Sequence, residues 1–92
     1  MWFKGLGMSK KKKLIARLLS KPKDFTYNEL SNLLTILGYI EDSKGKASGS
    51  RVAFINLTNK NIIHLDKPHP GNELRLYIIN YVIKKLKESR EI

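Results

Sequence analysis

Four apolar residues, Leu14, Ile15, Leu18 and Leu19, recur at helical spacing and predict a first helix from Ser9, a capping residue, to about Ser20. Its first turn is the run Lys10–Lys13, where the helix dipole disfavours cations. That run suits either a solvated, frayed turn or a contact with RNA. Pro22 ends the helix. Thr26 and Glu29 then form a Thr-x-x-Glu capping box, and Tyr27, Leu30, Leu33, Leu34 and Leu37 trace one apolar face. Gly38 suits a left-handed stop, so a second helix spans about 27–37. Tyr39 to Asp42 reads as a short strand, followed by a flexible basic loop, Ser43 to Gly49.

Alternation takes over from Ser50 to Leu57, with Val52 and Phe54 on one side and Arg51, Ala53 and Ile55 on the other. The turn Thr58-Asn59-Lys60-Asn61 returns the chain as an antiparallel strand from Ile62 to Asp66. Ile63 and Leu65 then face inward with Phe54, leaving His64 on the side of Arg51. Pro68 to Gly71 is a rigid connection, and Asn72 or Gly71 caps a last helix over about 73–88. Leu74, Ile78, Val82 and Leu86 supply its inner face, widened by Tyr81 and Ile79. Three short strands cannot bury both sheet faces alone. The expected fold is therefore α+β: a two-layer sandwich with helices on one face of a three-stranded antiparallel sheet. The other face stays open, with Arg51 and His64 looking outward.

Ninety-two residues make one domain, placed at 9–92, with residues 1–8 as a poorly ordered N-terminal extension. An apolar share of 41% suffices for a small core. The chain has no cysteine, which excludes disulfides and cysteine-bound zinc and fits a cytoplasmic location. No stretch approaches the ~20 apolar residues a membrane span needs, so no membrane partner is expected. The net charge of +10 changes the picture most, because it draws polyanions, RNA above all. An acidic protein partner accounts for it too. The cations concentrate at the N-terminus and around the central strands, with Lys44 and Lys46 in the loop, Arg51 on the strand and Lys67 after the next one.

Metal-free RNA cleavage needs a base for the 2′-hydroxyl proton, an acid for the leaving oxygen and a cation for the crowded phosphate. Histidine suits the first two tasks. Arginine suits the third but does not release a proton near neutrality. If this chain cuts RNA, His69 or His64 supplies the proton transfers, with Arg51 and Lys46 or Lys67 on the phosphate. Each residue has a plainer reading beside that one. His69, between two prolines, serves equally to fix its loop, and His64 reads as an ordinary strand residue. Arg51 lies within reach of Glu41 or Asp42, and Ser50 is a phosphate contact or a turn residue. Two histidines without cysteine or a carboxylate cluster give no metal site, and no cofactor is expected.

Four segments carry a family resemblance: Phe25-Thr26-Tyr27-Asn28-Glu29-Leu30, Leu37-Gly38-Tyr39, Gly49-Ser50-Arg51-Val52-Ala53-Phe54, and His64 through Leu74 with its Lys67-Pro68-His69-Pro70-Gly71-Asn72 core. In order and spacing they resemble the HicA toxins, over about residues 9–88. The resemblance implies a fold like that of double-stranded-RNA-binding domains, α-β-β-β-α, with Ser9–Ser20 as an added helix. It implies a ribosome-independent mRNA interferase, paired with a HicB-like antitoxin that binds and covers it. The family's catalytic histidine lies at or just after the Gly-Ser pair, where this chain has Arg51. The second family histidine matches His69. The expected function is thus a toxin and metal-independent mRNA endoribonuclease. Two alternatives stay open: a non-catalytic RNA-binding module of the same fold, and a domain whose positive surface meets an acidic partner.

Overall fold

The computed structural model describes residues 9–42, 51–68 and 71–92. Within them, α1 (Lys10–Leu19) and α2 (Tyr27–Ile36) precede three strands, β1 (Tyr39–Asp42), β2 (Arg51–Asn56) and β3 (Ile62–Asp66), and α3 (Leu76–Glu88) follows. The strands form one antiparallel sheet in the order β1-β2-β3. This is the expected α+β architecture, α-β-β-β-α with α1 added in front.

Local chemistry explains most boundaries. Ser9 Oγ accepts the Lys12 N–H at 3.2 Å and starts α1, whose first-turn lysines are all exposed. The α2 capping box is complete: Thr26 Oγ1 accepts the Glu29 N–H at 3.1 Å, and Glu29 Oε1 accepts the Thr26 N–H at 2.9 Å. Gly38 takes φ +100°, the left-handed stop that turns α2 directly into β1. The β2–β3 hairpin closes over residues 57–60, with Lys60 left-handed and its N–H donating to Asn56 O at 2.8 Å.

Two boundaries differ from the sequence expectation: Leu57 belongs to the hairpin turn and not to β2, and the last helix starts late. The last helix starts at Leu76 with Arg75 as N-cap, later than 73, and neither Gly71 nor Asn72 caps it. The residues before it are used otherwise: Tyr27 N–H donates to Asn72 O and Leu74 N–H to Phe25 O, both at 2.8 Å, around a bridge between Thr26 and Glu73. Leu74 is buried from this bridge, and the helix buries Ile79, Val82, Ile83 and Leu86, with Ile78 and Tyr81 only half-buried. Ile83 belongs to the core although the sequence reading left it out. Leu19, assigned to the α1 stripe, is exposed.

The core lies between the helices and one sheet face. Val52 and Phe54 of β2 and Ile63 and Leu65 of β3 point into it, against Leu30, Leu33 and Leu34 of α2 and the buried face of α3. Phe54 is fully buried, with its ring centroid 6.3 Å from that of Tyr27. Arg17 ties the helical layer together, pairing with Glu29 at 2.6 Å and Asp24 at 3.0 Å. Hydrogen bonding to Arg17 is the main force holding the Glu29 carboxyl below its usual pKa. A second polar cluster holds the C-terminus. Tyr39 Oη donates to Glu91 Oε2 at 2.5 Å, Ser89 Oγ donates to the same carboxylate, and Asn61 Nδ2 donates to Tyr39 Oη at 2.6 Å. Buried Asn56 belongs here: its Nδ2 donates to Leu37 O and its Oδ1 accepts the Thr58 N–H.

Candidate nucleic-acid interface

The side chains that alternate away from the core make the sheet's open face, ordered by the strand register. One row runs Ile40–Ile55–Ile62 across all three strands, the next Asp42–Ala53–His64, and the last pairs Arg51 with Asp66. Ile40 is 54% exposed, unusual for isoleucine on a strand and a sign that none of the described helices covers this side. Arg51 and His64 are diagonal neighbours on adjacent strands, with Cα atoms roughly 7–8 Å apart by strand geometry. One phosphate group can reach both side chains.

Arg51 Nε lies 3.3 Å from Asp66 Oδ1, its cross-strand partner. The sequence reading had considered Glu41 and Asp42 for this role. Both side chains are more than half exposed, at 66% and 58%. Such an ion pair contributes less than about 1 kcal/mol, so a phosphate competes readily for the guanidinium. His64 is exposed, and its backbone N–H donates to Tyr81 Oη at 3.1 Å. Since that N–H points away from β2, the bond caps a main-chain donor on the free edge of β3.

Lys67 does not join Arg51. It follows the inward alternation of Ile63 and Leu65, and its Nζ sits 5.6 Å from the Tyr27 ring centroid. Tyr27 is buried and its hydroxyl has no hydrogen-bond partner among the described residues; burial chiefly, then the negative charge of Glu41, push its pKa upward. Lys67 instead helps line a cleft of about 850 Å³ between the α1–α2 connection, the end of β3 and the start of α3. Lys21, Lys23 and Arg75 line the same cleft, and sequence reasoning had singled out none of them. Lys21 and Lys23 share the α1–α2 connection and Arg75 precedes α3, so only the tertiary packing brings the two segments together. The remaining expected site residues, Lys44, Lys46, Ser50 and His69, lie outside the described residues.

Among the described residues no three His, Cys, Asp or Glu side chains gather as metal ligands would. None of the described helices is long and apolar enough to cross a membrane. Comparison of the chain with protein-family models, with curated proteins and with solved structures finds no match.

Proposed function

We propose that this chain is a HicA-like toxin of a type II toxin–antitoxin system: a cytoplasmic, RNA-binding, metal-independent mRNA endoribonuclease neutralised by a HicB-like antitoxin. The observation that carries the reading is the adjacency of Arg51 and His64 on an exposed sheet face of a chain with net charge +10. The agreement between the α-β-β-β-α order and the order implied by the resemblance supports it further.

In this reading Arg51 holds the phosphodiester through its planar fork and stabilises the charge that builds on the non-bridging oxygens. A histidine, His64 or His69, takes the proton from the 2′-hydroxyl. The freed oxygen attacks phosphorus and forms a cyclic phosphate, and the departing 5′-oxygen receives a proton from the other histidine or from water. The antitoxin covers the same face, where exposed Ile40 and Ile62, with half-buried Ile55 between them, give it an apolar surface to bury.

The test is incubation of the purified protein with a single-stranded RNA in the presence of a chelator. Wild-type protein should cut it, and Arg51→Ala and His69→Ala should each lower the rate by about 100-fold or more. Cleavage insensitive to both changes rejects the assigned site. A second reading, the non-catalytic RNA-binding module, draws on Arg51 itself, which stands where the family has its catalytic histidine and cannot act as a base. RNA binding with steep salt dependence and no cleavage selects it.

A further inference from the structure

Beyond the open face, the free edge of the sheet carries a groove with a cationic end and an aromatic end. The cationic end is the cleft lined by Lys21, Lys23, Lys67 and Arg75. Its two acids are Glu73 and Asp66, and Asp66 is already engaged by Arg51. The α3 N-terminus adds to the positive field, for Arg75 makes no side-chain cap and the first turn holds no acid. The walls are fixed. The paired backbone bonds between residues 25–27 and 72–74 fasten the start of α3 to α2, and Arg17 fastens α1 to Asp24 and Glu29 on either side of them.

The aromatic end is a smaller groove of about 370 Å³ between β3 and α3, lined by His64, Tyr77 and Tyr81. The two spaces share Asp66, Tyr77 and Ile78, so they adjoin along the edge. Tyr77 is 68% exposed, one helical turn before Tyr81, and offers a ring face to a ligand. An added peptide strand fits the edge poorly, because Tyr81 Oη already occupies the outward N–H of His64. A cationic track leading to an exposed ring suits a polyanion with flat unpaired bases.

We propose that a single RNA strand binds along this edge, its phosphates in the Lys21–Lys23–Lys67–Arg75 cleft and one base stacked on Tyr77. This rests on the RNA-binding reading above and adds the path of the strand, which would then pass His64 and the Arg51–Asp66 pair as it leaves the cleft. A duplex keeps its bases stacked inside and cannot use Tyr77 in this way.

The experiment measures binding of a fluorescent ten-nucleotide single-stranded RNA at low salt, by anisotropy, with circular dichroism to verify folding. It compares wild type, a Lys67→Glu/Arg75→Glu variant, Tyr77→Ala, and the charge-matched control Lys84→Glu/Lys87→Glu on exposed positions of α3. The proposal expects the cleft variant to weaken binding at least about tenfold more than the control, and Tyr77→Ala to weaken it at least about fivefold. RNA binding by wild type with equal losses in cleft and control variants overturns the path and leaves RNA binding intact. Wild-type protein that ignores RNA but binds a polyglutamate peptide overturns both.

Discussion

The two faces of the sheet are built from the same three strands and share every backbone hydrogen bond, yet they obey different rules. Inward, Val52, Phe54, Ile63 and Leu65 are sealed under helices. Outward, a step of one residue along each strand leaves Ile40 and Ile62 in solvent, His64 exposed and Arg51 in a surface ion pair with Asp66. Apolar burial explains most choices on the first face, with buried Asn56 and exposed Glu41 the exceptions, and few on the second. Residues that folding does not require are where function is to be sought, and the contrast locates them on the open face and its free edge.

The sharpest way to break the contrast is to swap truncations between the faces. Phe54→Ala should cost about 3–5 kcal/mol in urea unfolding, since it removes a fully buried ring packed against Tyr27. Ile40→Ala on the open face should cost far less, within roughly 1 kcal/mol. Comparable losses would mean that the outer face carries packing as the inner one does. A smaller effect lies in the helical layer. Thr26→Ala removes the capping box of α2 and should cost about 1 kcal/mol by the same measurement.

The buried side also sets an alkaline limit. Burial chiefly, then its bond to Glu91, push the Tyr39 pKa up to about 12. Because this folded value exceeds the unfolded one near 10, the stabilisation is complete below about pH 10 and is lost as pH rises toward 12. Tyr27, also raised, acts in the same direction. Urea midpoints should therefore fall on this alkaline limb, and Tyr39→Phe should flatten it. A limb of unchanged steepness in that variant would remove Tyr39 from the account.

How far the sequence disclosed all this depends on the range of the interactions. The α2 start and stop were legible because Thr26, Glu29 and Gly38 act on neighbours within a turn. The limits of β3 and the opposite facing of Phe54 and Arg51 followed from strict alternation. The start of α3 was not legible, because Asn72 and Leu74 are drawn into bonds with Phe25 and Tyr27, a pairing that no local periodicity encodes. The same holds for the site. Arg51 and His64 share a face by parity alone, whereas Lys67 turns toward Tyr27 because its parity is the opposite one. Lys21 and Lys23 stand about fifty residues from Arg75 along the chain and meet it only through the packing of α1, α2 and α3.

The central claim is that the open face serves phosphodiester chemistry and not stability. The most direct measurement follows one Arg51→Ala/His64→Ala variant in two assays, thermal unfolding and chelator-resistant cleavage of single-stranded RNA. The account predicts an unfolding temperature within a few degrees of wild type and loss of nearly all cleavage. A variant that cuts RNA at the wild-type rate, or one that loses activity only because it no longer folds, would contradict it.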